Sequence, residues 1–278
     1  MRGRPKSSGS SSRVRFSGSE GGAAHQSWYA AIADNYGMLY ESGRDERAAE
    51  FLHGVFRRRG PVHDVLDVAC GTFGIDLRLV KLGYRVVGRD LSPAMIRVAR
   101  RNLRTKGLRA DLAVGDMRAL RLGREFDAVV CLGTAFNYLV STADIERALR
   151  MFHNHVRRGG LLVLDLTNFA TFIDSPMNAR TEVDHTATDG RRIAIFAFNE
   201  QNQAKTIHIA RFFTVTQREG RIDLRFDEAS LKVWRKEAIR RLLRRRGFRP
   251  VEWWGDLRRN VRYRPSRSPR LVSVAVRR

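Results

Sequence analysis

The chain has 278 residues, 43% of them hydrophobic, which is enough for a sizeable core in one large α/β domain with an insertion or in two small ones. Its formal net charge of +23 rests on 52 Lys and Arg against 29 Asp and Glu, so anionic substrates or nucleic acid enter as candidate partners. No apolar run approaches the roughly 18 residues a membrane helix needs, which excludes a helical membrane span. Residues 1–24 are rich in Ser, Gly and Arg, lack an apolar segment, and read as a disordered basic tail rather than a secretory signal. Residues 25–60 read as two helices, with Trp28, Tyr29, Tyr36 and Tyr40 on the first and a Gly60-Pro61 breaker ending the second.

A regular alternation follows. Val65–Ala69 is a short apolar strand, Ile75–Leu82 a helix stopped at Gly83, and Arg85–Gly88 the next strand. Ser92 caps a helix with Pro93 at its first position, ending near Lys106. Strands at Ala110–Val114, Phe126–Cys131 and Leu161–Leu166 bracket a helix at Ile145–Val156. Such alternation implies βαβ units and a mostly parallel sheet. After Asn178 the pattern becomes period two: Arg192–Phe198, Lys205–Thr216 and Arg221–Phe226 predict an antiparallel three-strand insertion, bounded at 178–228, that serves either as a lid or as a dimer interface. A helix at Trp234–Arg246 and strands at Val251–Trp254 and Leu271–Val276 complete the main domain, 61–278.

Three strand ends carry the chemistry. Asp67-Val68-Ala69-Cys70-Gly71-Thr72 is a strand end followed by a small-residue turn and a helix start, where a backbone can approach a ligand closely. Asp90 lies 23 residues on, at the end of the next strand, where a carboxylate can accept both ribose hydroxyls of a nucleoside. Gly115-Asp116-Met117 ends the following strand and can flank an adenine. The spacing Ala69, Gly71, Gly74 fits the three-glycine fingerprint of dinucleotide oxidoreductases only loosely.

The segment VLDVACGT, Val65–Thr72, instead resembles motif I of the class I S-adenosylmethionine-dependent methyltransferases. Phe126–Gly133, Gly160–Asp165, Leu39-Tyr40 with Arg47, and Gly255-Asp256-Leu257 resemble the glycine N-methyltransferase branch. The resemblance implies a Rossmann-like fold with a seven-stranded, mostly parallel sheet, helices on both faces and an antiparallel strand insertion. It implies S-adenosyl-L-methionine as cofactor and no metal. Arg47 would pair with the methionyl carboxylate, with Tyr40 near it. Asp67, Ala69 and Gly71 would line the motif I turn, Asp90 and Leu91 the ribose, Asp116 and Met117 the adenine, and Leu132 the pocket wall. Tyr29, Tyr36, Thr134, Phe136, Asn137 and Asn168, with Tyr138, are candidate walls for the acceptor.

Two positions depart from the branch. Phe73 replaces the third glycine of motif I and can crowd the cofactor. Thr167 stands where the glycine enzymes carry a carboxylate-binding arginine, which argues against glycine as acceptor. The expected activity is N-methylation of another small-molecule amine. The alternatives are a methyltransferase that docks RNA or protein on its basic surface and a cofactor-blocked binding domain. Nucleic acid is not favoured as a partner: the C-terminal 48 residues hold 17 Lys and Arg against 3 acids, but no aromatic-interleaved motif accompanies them. Cys70 and Cys131 make no disulfide framework, consistent with a reducing, cytoplasmic location. No membrane partner is expected, and a homo-oligomer is compatible with the sequence. His153 and His155 fall on a helix of the outer layer and read as structural, leaving no histidine base near the site.

Overall fold

The computed structural model describes residues 14–19, 24–39, 41–172, 178–187 and 190–278. In chain order the elements are β1 (Val14–Ser19), α1 (Ala24–Ile32), α2 (Arg44–Arg59), β2 (Asp64–Asp67), α3 (Gly74–Lys81), β3 (Arg85–Asp90), α4 (Pro93–Thr105), β4 (Asp111–Val114) and β5 (Phe126–Cys131). Then come α5 (Thr142–His155), β6 (Val156–Thr167), β7 (Asn178–Thr186), β8 (Arg192–Gln201), β9 (Ile207–Arg218), β10 (Arg221–Lys232), α6 (Lys236–Arg245), β11 (Phe248–Trp254) and β12 (Arg270–Arg277). Short 3₁₀ turns follow α1 at Ala33–Leu39 and β5 at Ala135–Tyr138.

The main sheet has seven strands in the order β11-β12-β6-β5-β2-β3-β4. Strands β6-β5-β2-β3-β4 run parallel, and β12 enters antiparallel between β6 and β11. Alternate residues of each central strand face opposite helix layers. Val65, Ala128, Val130, Val163 and Val272 pack with Phe51, Leu52, Val55 and Phe56 of α2 and with α3 and α4. Leu66, Val129, Leu162, Leu164 and Leu271 pack with Leu149 and Phe152 of α5 and Ile239 and Leu243 of α6. Strands buried on both faces need apolar residues at every position, which is why their sequence runs read as continuous rather than alternating. Ser92 caps α4 by accepting the Met95 N–H at 3.4 Å, and Ser141 caps α5 by accepting the Asp144 N–H at 3.1 Å. His155, buried on α5, accepts the Leu122 N–H at 3.1 Å and has its other ring nitrogen 2.7 Å from the Met151 carbonyl, a structural role.

The second sheet differs from expectation in two ways. It holds four insertion strands rather than three, because Asn178–Thr186 pairs with β8. Its order is β1-β10-β9-β8-β7. Residues Val14–Ser19, which composition places in a disordered tail, pair in parallel with Ile222–Asp227 at the sheet edge. Helix α1 joins the two sheets: Trp28 stacks on Phe212 of β9 at 4.6 Å and packs with Ile193 and Ile195 of β8. No helix among the described residues is long and apolar enough to cross a membrane.

Candidate functional site

A cavity of about 500 Å³ opens beyond the carboxyl ends of β2, β3, β4 and β5, the place where open α/β sheets bind ligands. The turn from β2 into α3 forms its floor. Asp67 accepts the Ala69 N–H at 2.8 Å, closing the turn on itself. Asp90, at the end of β3, accepts the Gly71 N–H at 2.9 Å through one oxygen and the Ser92 N–H at 2.8 Å through the other. One carboxylate therefore fastens the glycine turn to the start of α4. Burial raises the Asp90 carboxyl above its ordinary value, against the opposing pull of those two N–H bonds.

Eight of the expected cofactor residues meet on this cavity: Asp67, Ala69, Gly71, Asp90, Leu91, Asp116, Met117 and Leu132. Tyr29, Tyr36 and Tyr138 also line it, with the hydroxyls of Tyr29 and Tyr138 3.1 Å apart. Asp116 is clamped by Arg118, whose guanidinium donates to both carboxylate oxygens and also reaches Asp144 at 3.2 Å. Burial works against the Asp116 charge, but the Arg118 hydrogen bonds more than offset it and hold the carboxyl below its ordinary value.

Five expectations are corrected. Arg47 does not line the cavity; its guanidinium donates to the Ser42 carbonyl at 3.1 Å and to Glu41 at 3.2 Å, and Arg44, one turn earlier, lines the cavity instead. Phe136 is fully buried in the core, where it stacks on Trp234 at 5.8 Å. Asn137 is a strut: its amide donates to Lys232 O at 2.9 Å and accepts the Thr167 N–H at 3.1 Å, tying the root of β10 to the end of β6. Asn168 is buried and donates to the Pro265 and Ser268 carbonyls at 2.9 and 2.8 Å. Thr134 turns to Thr167, their hydroxyls 2.6 Å apart, and both accept from Arg270. Tyr40 lies outside the described residues.

Phe73 does not crowd the cavity. Its backbone takes the left-handed conformation that a glycine would, at φ 68°, and its ring is fully buried in the core with Leu112 and Cys70 rather than on the cavity wall. The absence of a side chain at Gly88 makes room for the ring: a Cβ there would fall 2.6 Å from Leu112, 2.9 Å from the Cys70 sulfur and 3.0 Å from the Phe73 ring.

Several lining residues carried no sequence signal. Asp45, Asp76, Asp144 and Glu228 join Asp67, Asp90 and Asp116, so seven carboxyls face a cavity whose described cations are Arg44 and Arg118. Glu228, Ala229 and Ser230 come from β10, which brings the second sheet onto the cavity. Asp45 approaches the floor because Gly74 has no side chain; a Cβ there would collide with the Asp45 carboxylate. The acid excess suits a cationic ligand, in a protein whose overall charge has the opposite sign.

Residues 65–160 match the family described as "Methyltransferase domain". A dTDP-3-amino-3,4,6-trideoxy-alpha-D-glucopyranose N,N-dimethyltransferase of Streptomyces venezuelae is 35% identical over 166 residues, 58% of this chain and 67% of that protein. A glycine/sarcosine/dimethylglycine N-methyltransferase of Actinopolyspora halophila is 30% identical over 220 residues, 77% of this chain but 36% of that protein. The chain spans about half or less of the length of the first curated relatives it matches. The solved structure of the sugar N-methyltransferase KedS8 from Streptoalloteichus superposes with a TM-score of 0.70 at 27% identity, covering 85% of this chain and 90% of that one. Fold, motif I geometry and these likenesses agree: the chain belongs to the class I S-adenosylmethionine-dependent methyltransferases.

Proposed function

We propose that the chain transfers a methyl group from S-adenosyl-L-methionine to the nitrogen of a small-molecule amine that carries no free carboxylate, an amino sugar being the class that fits best. The observation that carries this reading is the acid-lined cavity: seven carboxyls favour a cationic donor and an amine acceptor, while its two arginines leave little to hold a second carboxylate. Arg44, whose ion pair with Asp45 is long at 3.6 Å, is the natural bidentate partner for the methionyl carboxylate, in place of Arg47. Arg118 is committed to Asp116 and Asp144. Asp90 would hold the ribose, and Asp116 and Met117 the adenine. Tyr29, Tyr36 and Tyr138 offer hydroxyls and ring faces to a sugar-like body, and likeness to amino-sugar enzymes supports the same class.

When bound, S-adenosyl-L-methionine supplies an electrophilic methyl on a sulfonium, so the chain's own work is positioning and exclusion of water. No histidine lines the cavity among the described residues, which suits an amine, able to attack once deprotonated, over a hydroxyl needing a stronger base. The second sheet, through Glu228–Ser230, would serve as the lid. Calorimetry with S-adenosylhomocysteine, followed by a panel of amino sugars, glycine and sarcosine, tests the reading. No binding of the product analogue would sink it.

A further inference from the structure

Beneath the motif I turn, Asp67 and Asp76 hydrogen-bond each other through their carboxyls, one from the end of β2 and one from the first turn of α3. Both are almost fully buried, 2% and 1% exposed, yet both line the cavity. Two carboxylates cannot share a hydrogen bond without a proton, because each ionised group only accepts. One oxygen of Asp67 is already used by the Ala69 N–H. Oδ1 of Asp76 is buried and has no hydrogen-bond partner. An orphaned buried carboxyl oxygen is costly unless a donor arrives to satisfy it, and this one belongs to a residue that lines the cavity.

The surroundings decide which donor. Asp45 and Arg44 face the floor from α2, Arg78 approaches Asp45 from α3, and Asp90 and the Cys70 thiol complete the shell. The floor is therefore more acidic than basic. A neutral water would satisfy the orphan oxygen but would leave the shared proton in place. An ammonium would satisfy the oxygen and favour full ionisation of the pair.

The geometry points to the Asp67–Asp76 pair as a proton-exchanging seat for the ammonium of the methyl donor's amino-acid end. The pair holds one proton between its two carboxyls before the donor arrives. On binding, the O–H bond of the protonated carboxyl breaks and the proton leaves to bulk water. The two carboxylates then accept N–H bonds from the ammonium, whose charge replaces that of the proton. This rests on the donor reading above and adds to it a role for Asp76 and a coupling of donor affinity to pH. Burial raises both carboxyls above the ordinary carboxylate range, Asp67 to about 7 with the Asp90 charge adding to the rise, and Asp76 with the Asp67 charge adding to it, so the pair still holds a proton near neutral pH.

The test is calorimetry of S-adenosylhomocysteine and S-adenosylmethionine binding to the full chain between pH 6 and 8.5. Two buffers of different ionisation enthalpy at each pH count the protons released. Asp76→Asn and Asp76→Ser are run beside the wild type, with a melting curve to establish folding; the serine keeps a small hydrogen-bonding group if the amide proves disruptive. The ligand's own amine titrates equally against all three proteins, so the difference between them isolates the pair. The expected result is release of a sizeable fraction of one proton near pH 7 and affinity that tightens by up to about tenfold per pH unit in the wild type, both lost in the folded variant, whose affinity at pH 8 also falls about tenfold or more. Binding with no proton release, or release that persists in the folded variant, overturns the proposal while leaving the donor reading intact. Absence of binding by either ligand at every pH overturns both.

Discussion

Arg270 and Asp165 form a two-pronged ion pair across neighbouring strands: Nε and Nη2 of the guanidinium each reach a carboxylate oxygen at 2.7 Å. Asp165 is fully buried and also accepts the Gly133 N–H at 3.0 Å. The pair thus fixes the loop leaving β5, where Leu132 and Gly133 line the cavity. Arg270→Met would strand the carboxylate without its partner. A broken buried pair of this kind costs about 3–5 kcal/mol, and urea denaturation should show a loss near the lower end, since Arg270 is partly exposed. A loss below about 1 kcal/mol would mean that solvent replaces the guanidinium easily.

Phe73 combines a strained backbone with a well-buried ring. Phe73→Gly would relieve about 1–2 kcal/mol of left-handed strain but remove an aromatic side chain worth about 3–5 kcal/mol. The expected net loss is about 2–3 kcal/mol by thermal or urea melting. Affinity for S-adenosylhomocysteine should stay within about threefold, because the ring lies off the cavity. A tenfold gain in affinity would show that the ring obstructs the site after all.

The sequence made the main sheet legible because each central strand is apolar on both faces and each crossover helix carries its own stop, as at Gly83, or cap, as at Ser92. The cavity floor was legible for the same reason: Asp67, Gly71 and Asp90 stand at strand ends, and strand ends converge. What stayed hidden depends on partners distant in sequence. Asn137 and Asn168 look like pocket residues until Lys232, Pro265 and Ser268 arrive to accept their amides. Arg44 and Arg47 sit on one helix, and no local pattern says which guanidinium faces the cavity. Val14–Ser19 becomes a strand only by pairing with residues about two hundred positions away.

Stability should depend on pH through the buried acid pair. Asp67 and Asp76 lose their protons near pH 4 in the unfolded chain but at higher pH in the folded one, with Asp67 at about 7. Between the unfolded and folded values the folded state holds more protons, so each contribution is full below about pH 4; that of Asp67 is lost as pH rises through about 7, and that of Asp76 as pH rises through its own raised value. The ion-paired carboxyls Asp64, Asp116 and Asp127 are held below their ordinary value, so they act in the opposite sense and only at lower pH. From pH 5 to 8 the melting temperature of the ligand-free protein should fall, and Asp76→Asn should flatten the slope. Parallel slopes for the two proteins would show that the pair does not titrate in that range.

The last prediction concerns glycine. In the glycine N-methyltransferases that this sequence resembles, an arginine two residues after the β6 acid anchors the acceptor's carboxylate; here that position is Thr167. The cross-strand partner of Thr167 is Arg270, whose guanidinium reaches the same spot from β12. It cannot serve as a replacement anchor while it remains in place, because its donors are taken: Nε and Nη2 by Asp165, and Nη1 by Thr134 at 3.0 Å and Thr167 at 2.7 Å. Loss of a buried charge-paired anchor typically costs about 2–5 kcal/mol, or roughly 30- to several-thousand-fold in affinity. Glycine at millimolar concentration should therefore be turned over negligibly beside an amino sugar in a steady-state methyl-transfer assay. Thr167→Arg alone should not restore it, since the new guanidinium would meet Arg270 at contact distance and compete for Asp165. Thr167→Arg combined with Arg270→Thr moves the guanidinium back to β6 while keeping one cation beside Asp165, and only this pair should raise glycine turnover. Efficient glycine methylation by the wild type would refute the argument at its first step.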